Sequence, residues 1–515
     1  MSTANPKTAA ELEYSRPLDV HRWSDHNEVN QFVNKIWNDY LELHFKASGG
    51  VGKRPKSSLK KQFKVLLLDL YLAWKQDPEL LISVPKSKSA YKTGSRYNAL
   101  HISYKIVEVI GHLEAVGLIR QRLGSQQSHR VTRVWPTTML IGLFKTARFS
   151  IFDIGTHHDR EVIVLNVTTN QEVVEEEQTT KRLQSRKSKS IEYEDEDYEP
   201  IRQMRSDLQA YNKLLHNTFV DIGSLESPNV TYEYWDRRKQ KNVVKRVPVG
   251  HQNKLVRRIF YRGDWNLGGR FHGGFWQQVG EDWRSQILIN DQPTVEQDFS
   301  GLHINLAYGL KQQRPPDKDP YLLDLMFDVD PKVQRKWVKG LTLVAINAAD
   351  ETSAFSAFRS NQGKGSIGKQ LKNMQLKKLL DAFKEKHRAI EDFICTDQGV
   401  HLMKIDGNIT SRIINHFTWN RLPILTVHDS YITTYDLTGE LRSVMNQSIR
   451  DELNGYEVNV DQDYLGIDQL RSFLAMDPNL DRRSLYDSLP KMTRCSGYTR
   501  RLEEHVKWQQ ILQYS

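Results

Sequence analysis

Two cysteines, Cys395 and Cys495, are all that the 515 residues contain. Two thiols cannot build a disulfide framework or a four-cysteine zinc site, and such sparse use fits a reducing compartment. Long apolar runs are absent too. No stretch of about 18 apolar residues occurs, so no membrane span is expected. The start, Met1-Ser2-Thr3-Ala4-Asn5, opens a polar stretch without the apolar centre of a secretory signal. A cytoplasmic location is therefore expected. The chain also lacks a repeat with a period of roughly 20 to 50 residues. The glycine-rich run Arg262 to Gly274 matches neither a Gly-Lys-Ser/Thr phosphate loop nor a dinucleotide fingerprint. Acids are outnumbered, 63 against 73 lysines and arginines, and the net charge of +10 favours a polyanionic partner. A chain of this length exceeds one hydrophobic core, so two or three domains are expected.

Composition divides the chain into four parts. Residues 1–55 read as a polar, irregular segment ending in Gly49-Gly50-Val51-Gly52-Lys53-Arg54-Pro55. In residues 56–167, Phe63, Leu66, Leu67, Leu70 and Trp74 share one helical face, and Ile106, Val109, Ile110, Leu113 and Val116 share another. Gly117 is placed to end the second helix. A polar tip, Gly124-Ser125-Gln126-Gln127-Ser128, then separates two short basic strands carrying Arg120, Arg122, Arg130 and Arg133. Helix followed by basic ribbon predicts a winged helix-turn-helix that binds nucleic acid, with a ligand-free helical domain as the alternative. Residues 168–200 segregate their charges, from Glu175-Glu176-Glu177 to Glu192-Tyr193-Glu194-Asp195-Glu196-Asp197, and predict a disordered linker. Residues 201–515 mix helical runs with short strands, giving an α+β multidomain chain overall.

Chemistry concentrates in that last part. Asp298 stands at the end of a β-like run, Thr294 to Phe299, and Ser300 is placed to cap a helix from Gly301 to Leu310. The carboxylate and the Phe299 carbonyl could both face a hard cation. Asp429 lies in His428-Asp429-Ser430, the predicted tip of a hairpin between two apolar strands. Two such acids brought together repel unless cations lie between them. Between them in sequence, Arg335, Lys339, Leu343 and Asn347 recur every four residues and share a helix face. The cations suit phosphates; a solvated surface face is the plainer alternative. Upstream, Arg262 to Gly274 packs five glycines and two arginines, including Arg270, and reads as a loop allowing close backbone approach.

In this order, the Gly/Arg segment, the strand-end Asp298, the Arg-x3-Lys helix and the His428-Asp429 hairpin resemble the family A DNA polymerases and the phage-type single-subunit RNA polymerases. Asp298 matches their motif A aspartate, Arg335 and Lys339 their motif B helix, and Asp429 with His428 their motif C. Asp264-Trp265 to Arg270, Asp406-Gly407-Asn408 and Ser430 are closer to the RNA polymerases. The chain departs from both groups at Asn347 and Ala348, and His303 stands where they carry Glu or Gly. The resemblance implies a right-hand palm with an antiparallel sheet and helical fingers. It implies two Mg²⁺ ions, replaceable by Mn²⁺, held by Asp298, Asp429 and the Phe299 carbonyl. It further implies a triphosphate on Arg335 and Lys339, a nascent pair at Leu343, Asn347 and His303, and a primer or template on Arg270 and His428. The expected activity is template-directed nucleotidyl transfer by a primase, RNA polymerase or DNA polymerase, with a DNA template and NTP or dNTP substrates. A non-catalytic DNA-binding initiator with a degenerate palm is the alternative. A plasmid, phage or integrated mobile element would suit this architecture.

Overall fold

Apolar spacing accounts for the first of two large hydrophobic cores. In the helix Ser57–Gln76, Phe63, Leu66, Leu67 and Leu70 are buried, and so are Val65, Leu68 and Tyr71 between them. A helix apolar all round must be covered all round. The same cluster takes in Ile106, Val109, Ile110 and Leu113 of the helix Lys105–Ala115. Gly117, at φ 79°, ends that helix, and the Leu118 amide reaches back to the Leu113 carbonyl at 2.9 Å. The strands Leu81–Val84, Thr132–Pro136 and Ile119–Arg122 lie side by side in that order, with Ser15–Pro17 parallel to the outer edge of the first. The computed structural model describes residues 7–42, 45, 57–125, 130–169, 187–236, 241–317, 319–463, 479 and 493–514. Residues 126–129 of the polar tip and the Gly49–Pro55 run lie outside them.

The first 55 residues differ from the irregular segment expected of them. Within the helix Asn27–Ile36, Val29, Val33 and Ile36 are buried, and Trp37 and Leu41 continue into the same core. Polar residues separate these apolar ones by three and four places, which masks a helical stripe in a segment of polar composition.

The linker expectation meets a similar difference. Residues 170–186 lie outside the described set, but Lys187–Ser190 pairs antiparallel with Ile163–Thr169. Tyr193 is buried beneath the Arg96 guanidinium, 3.6 Å from its ring centre. Asp195 accepts from Arg205 at 2.7 and 2.8 Å. One aromatic anchor and two arginines are enough to order an acidic block that composition alone reads as solvated.

The second core runs from Val162 to Val458 and surrounds a six-stranded sheet. Its order is Leu425–Val427, Ser430–Thr434, Gln292–Phe299, Ile287–Ile289 and Val220–Ile222, with Val460–Asp463 joining the far end of Gln292–Phe299. Every pairing in it is antiparallel. A separate four-stranded sheet holds Val256–Tyr261 and Asp264–Gly273. The long helix Gly399–Trp419 lies against the latter strand. The helix Ser496–Tyr514 packs Tyr498 against Phe219 in a small separate cluster, and its Trp508 indole donates to Asp153 at 3.1 Å. The chain is thus α+β with more than one core. Among the described residues no helix is long and apolar enough to cross a membrane.

Candidate active site

The strand Gln292–Phe299 is buried from Thr294 to Gln297 without alternation, because neighbours cover it on both faces. Asp298 is the exception and stands at its open end. Register places Asp298 opposite Ser430 on one side and opposite Asp461 on the other. Asp429 precedes Ser430, and its carbonyl accepts from the Phe299 amide at 3.4 Å. Two acids 131 positions apart in sequence therefore sit at the ends of neighbouring strands, with a third beside them. Burial first, then the charges of Asp429, Asp461 and Glu296, push the Asp298 carboxyl up to about 6, while the Lys339 ammonium opposes. Crowded oxygen donors of this kind suit a hard divalent cation, which takes carboxylates and keeps waters.

His428 and Asp429 form the two-residue connection between Val427 and Ser430, as the hairpin reading expected. His428 has φ 57°, a left-handed backbone that costs a non-glycine residue about 1 kcal/mol. That turn brings Asp429 to the strand end. The helix cap differs from expectation: the helix is Leu302–Leu310, and its cap is Gly301, left-handed at φ 57°, rather than Ser300. Phe299 itself buries its ring, 88° to that of Tyr431.

In the helix Pro331–Asn347, Trp337, Val338, Leu341 and Ala345 are buried, so Arg335, Lys339, Leu343 and Asn347 share the opposite face. Lys339 feels Asp298, and its ammonium lies 5.8 Å from the Tyr321 ring centre. Arg335 is 5.9 Å from the same ring and ion-pairs with Asp319. Tyr321 is buried; its hydroxyl is pushed up to about 12 by burial and then by Asp429, so it stays protonated. Asn347 turns back to donate to the Leu343 carbonyl at 2.8 Å and packs over Gly399, where an added Cβ would lie 1.9 Å from its oxygen.

The glycine-rich segment is not the expected loop. Asp264–Gly273 is a strand with left-handed Gly268 and Gly269, interrupted in its pairing with Val256–Tyr261 by register shifts. The glycines serve backbone contact within the fold: a Cβ on Gly407 would lie 2.1 Å from the Gly269 carbonyl oxygen. This contact seats Asp406 behind Arg270. Arg270 ion-pairs with the buried Asp406 and donates to His303 Nε2 at 3.2 Å. Burial first, then Arg270, lower the His303 pKa to about 4, leaving the ring neutral as an acceptor. His428 is lowered by burial and Arg270 as well. Arg270, named as a nucleic-acid contact, thus spends its guanidinium on Asp406 and His303.

The basic hairpin splits the same way. Arg120 is exposed. Arg130 pairs with Glu13 at 3.6 Å, and Arg133 donates to the Leu12 carbonyl at 2.9 Å, so both hold the short helix Ala9–Glu13 against the sheet. Sequence reasoning missed Asp461, Tyr321 and Asp319. Asp461 carried a weak signal, the alternating Val458-Asn459-Val460-Asp461; the other two carried none. Among the described residues, one trio of side chains brings its ligand atoms within 4.8 Å of one another: His157, His158 and Asp159, consecutive on a turn.

No family model matches the chain, and no curated protein is similar to it. Among solved structures, the polymerase domain of Pol1 from M. smegmatis, in complex with DNA primer-template and dNTP, aligns with 39% of this chain and 46% of that one. The identity is 11% and the TM-score 0.29. The match spans under half of that domain, and a likeness this slight says nothing of shared chemistry.

Proposed function

We propose that the chain is a template-directed nucleotidyltransferase whose catalytic acids are Asp298 and Asp429. One observation carries this reading: the two acids meet at neighbouring strand ends, with Asp461 beside them and Lys339 on the flanking helix. Read this way, the six-stranded sheet is a palm and the helix Pro331–Asn347 belongs to the fingers. The Leu81–Val84, Thr132–Pro136, Ile119–Arg122 sheet with its helices is a winged helix that recruits DNA. The two functional domains are then built on the first core, Leu18 to Ile154, and on the second, Val162 to Val458.

Mg²⁺ or Mn²⁺ bound by Asp298 and Asp429 would activate a 3′-hydroxyl and neutralise the leaving pyrophosphate. The protein's own share is placement and charge, since phosphoryl transfer needs little covalent help. Lys339 would hold the triphosphate as a point charge above Tyr321, whose protonated hydroxyl can donate to an anion. Arg335 would add a second cation on leaving Asp319. Asp406 fixes Arg270 beside His303, and the neutral His303 ring would line the sugar of the incoming nucleotide.

A second reading has its own support. Arg335 and Arg270 are both ion-paired within the protein, as they would be in a DNA-binding initiator that no longer catalyses. Incorporation of labelled nucleotide separates the two. The full chain is offered single-stranded and primed DNA with NTPs or dNTPs, with Mg²⁺ or with EDTA. Catalysis predicts metal-dependent extension that Asp298→Asn and Asp429→Asn each abolish while DNA binding persists. Extension undiminished in Asp429→Asn would remove the proposal.

A further inference from the structure

A cavity of about 380 Å³ lies between residues 155–160, which leave the first core, and two elements of the second. Those elements are the helix Ile201–Asn217 and the turn His251–Asn253. Arg22, Arg160, Lys213 and Lys254 supply cations to the wall, and among the described residues no aspartate or glutamate joins them. Arg22 and Arg160 are engaged from behind, with Asp69 3.3 Å from Arg22 and Asp19 3.1 Å from Arg160. Lys213 is exposed, and neither it nor Lys254 has an ion pair among the described residues.

Lys254 is only 3% exposed. Its ammonium donates to the Thr218 carbonyl at 2.6 Å and the His216 carbonyl at 3.3 Å, closing the end of the helix. An ammonium has three N–H donors, so one is left over. Burial lowers the Lys254 pKa to about 7, against the opposing charge of Asp221, because little in the protein repays that cation. Nearby, both ring nitrogens of His251 are buried without a hydrogen-bond partner among the described residues. Buried polar groups are nearly always paired, so such a ring calls for a ligand atom within reach. The His216 and His251 rings lie 4.4 Å apart, and His157 stacks on His158 at 4.3 Å. Burial, then Lys254, lower the pKa of both His216 and His251, so both rings are neutral. Val162 and Leu255 complete an apolar part of the wall.

We infer that this cavity binds a small phosphorylated molecule carrying a planar ring, of mononucleotide size. Lys254 and Lys213 take the phosphate, while the histidine rings and the two aliphatic side chains take the planar ring. Pockets for small ligands start at about 300 Å³ and combine apolar walls with a few placed polar groups. A phosphate fits better than a carboxylate, because its charge of about −1.5 to −2 meets two unpaired ammonium groups. None of the lining residues belongs to the acid site, so the inference holds whether or not Asp298 and Asp429 catalyse.

Isothermal titration calorimetry of the full chain in EDTA tests it, with adenosine monophosphate, inorganic phosphate and adenosine as probes. The nucleotide is expected to bind one-to-one, about tenfold or more tighter than either fragment. Lys254→Met should weaken it about tenfold or more, the worth of one hydrogen bond to a charged group. Lys213→Ala, at an exposed position, should weaken it about two- to fivefold. In Gly155→Val the added Cβ lies 3.6 Å from His216 Cε1, an ordinary contact. That variant should narrow the cavity and weaken the nucleotide without removing a charge. Lys339→Ala should leave the affinity within about twofold, which separates this cavity from the acid site. Melting temperatures without ligand confirm that each variant folds. Wild-type affinity in both Lys213→Ala and Gly155→Val would overturn the inference. So would a nucleotide that fails to bind, or that binds no tighter than adenosine or inorganic phosphate.

Discussion

Asp298 and Asp461 face each other directly across antiparallel strands, Gln292–Phe299 and Val460–Asp463, with Asp429 at the end of the strand on the other side. Like charges are placed opposite at a cost, since such cross-strand pairs destabilise a sheet. The arrangement becomes favourable once a cation is shared. Asp461→Asn should therefore weaken the activating effect of Mg²⁺ about 10- to 100-fold while leaving the fold intact. The check is the Mg²⁺ concentration giving half-maximal nucleotide incorporation, with a thermal melt in EDTA alongside.

The same crowding sets a pH dependence. The carboxyls of Asp298 and Asp406 both rise to about 6, chiefly through burial, with Asp429 raising each further. An unfolded aspartate titrates near 3.9. In that window the folded state holds more protons than the unfolded one, so their contribution to stability falls as pH rises from about 4 to about 6. Asp298→Asn removes one of the two groups. The variant should therefore lose less melting temperature than wild type across this window in EDTA, and Mg²⁺ at neutral pH should raise the wild type only. A wild-type curve that tracks the variant at every pH would contradict the assignment.

Lys339 opposes the rise at Asp298. Lys339→Ala should move the Asp298 midpoint above its present value of about 6, read as the difference titration against Asp298→Asn. The same variant should raise the KM for the nucleotide about tenfold or more, the worth of one hydrogen bond to a charged group. A KM change without the titration shift would separate Lys339 from the acid pair.

Gly407 and Gly269 bring a helix and a strand within backbone contact, with 2.1 Å left for a Cβ. Backbone cannot move aside as a side chain can. Gly407→Ala should cost about 3 kcal/mol in urea unfolding, at the upper end of overpacking effects. Asp406→Ala, which strands the half-buried Arg270 without its counter-charge, should cost a similar amount.

The arginines of the basic hairpin separate by readout. Arg120→Glu should weaken duplex binding and reduce its salt slope by about one unit. Arg133→Ala instead frees the Leu12 carbonyl and should lower the melting temperature with little change in that slope. If Arg133→Ala lowered the slope as much as Arg120→Glu, the hairpin's contacts would be misassigned.

Much of this was legible in the chain itself. Period 3.6 marked Ser57–Gln76 and Lys105–Ala115, Gly117 marked a helix end, and His428-Asp429 marked a hairpin turn, because each depends on neighbours within about one helical turn or one strand. The shared face of Arg335, Lys339, Leu343 and Asn347 followed from helix geometry in the same way. Tertiary structure decided the rest. Which strand pairs beside Asp298 is a register choice, and it alone recruits Asp461. Whether a glycine admits a ligand or another backbone depends on what packs over it, and Gly269 meets Gly407. Arg270, Arg130 and Arg133 look alike as cations in sequence; only the fold, by bringing Asp406, Glu13 and the Leu12 carbonyl up to them, turns all three inward. The acids had their places in the sequence, but the charge around them is a property of the folded chain, since repulsion and burial act through space.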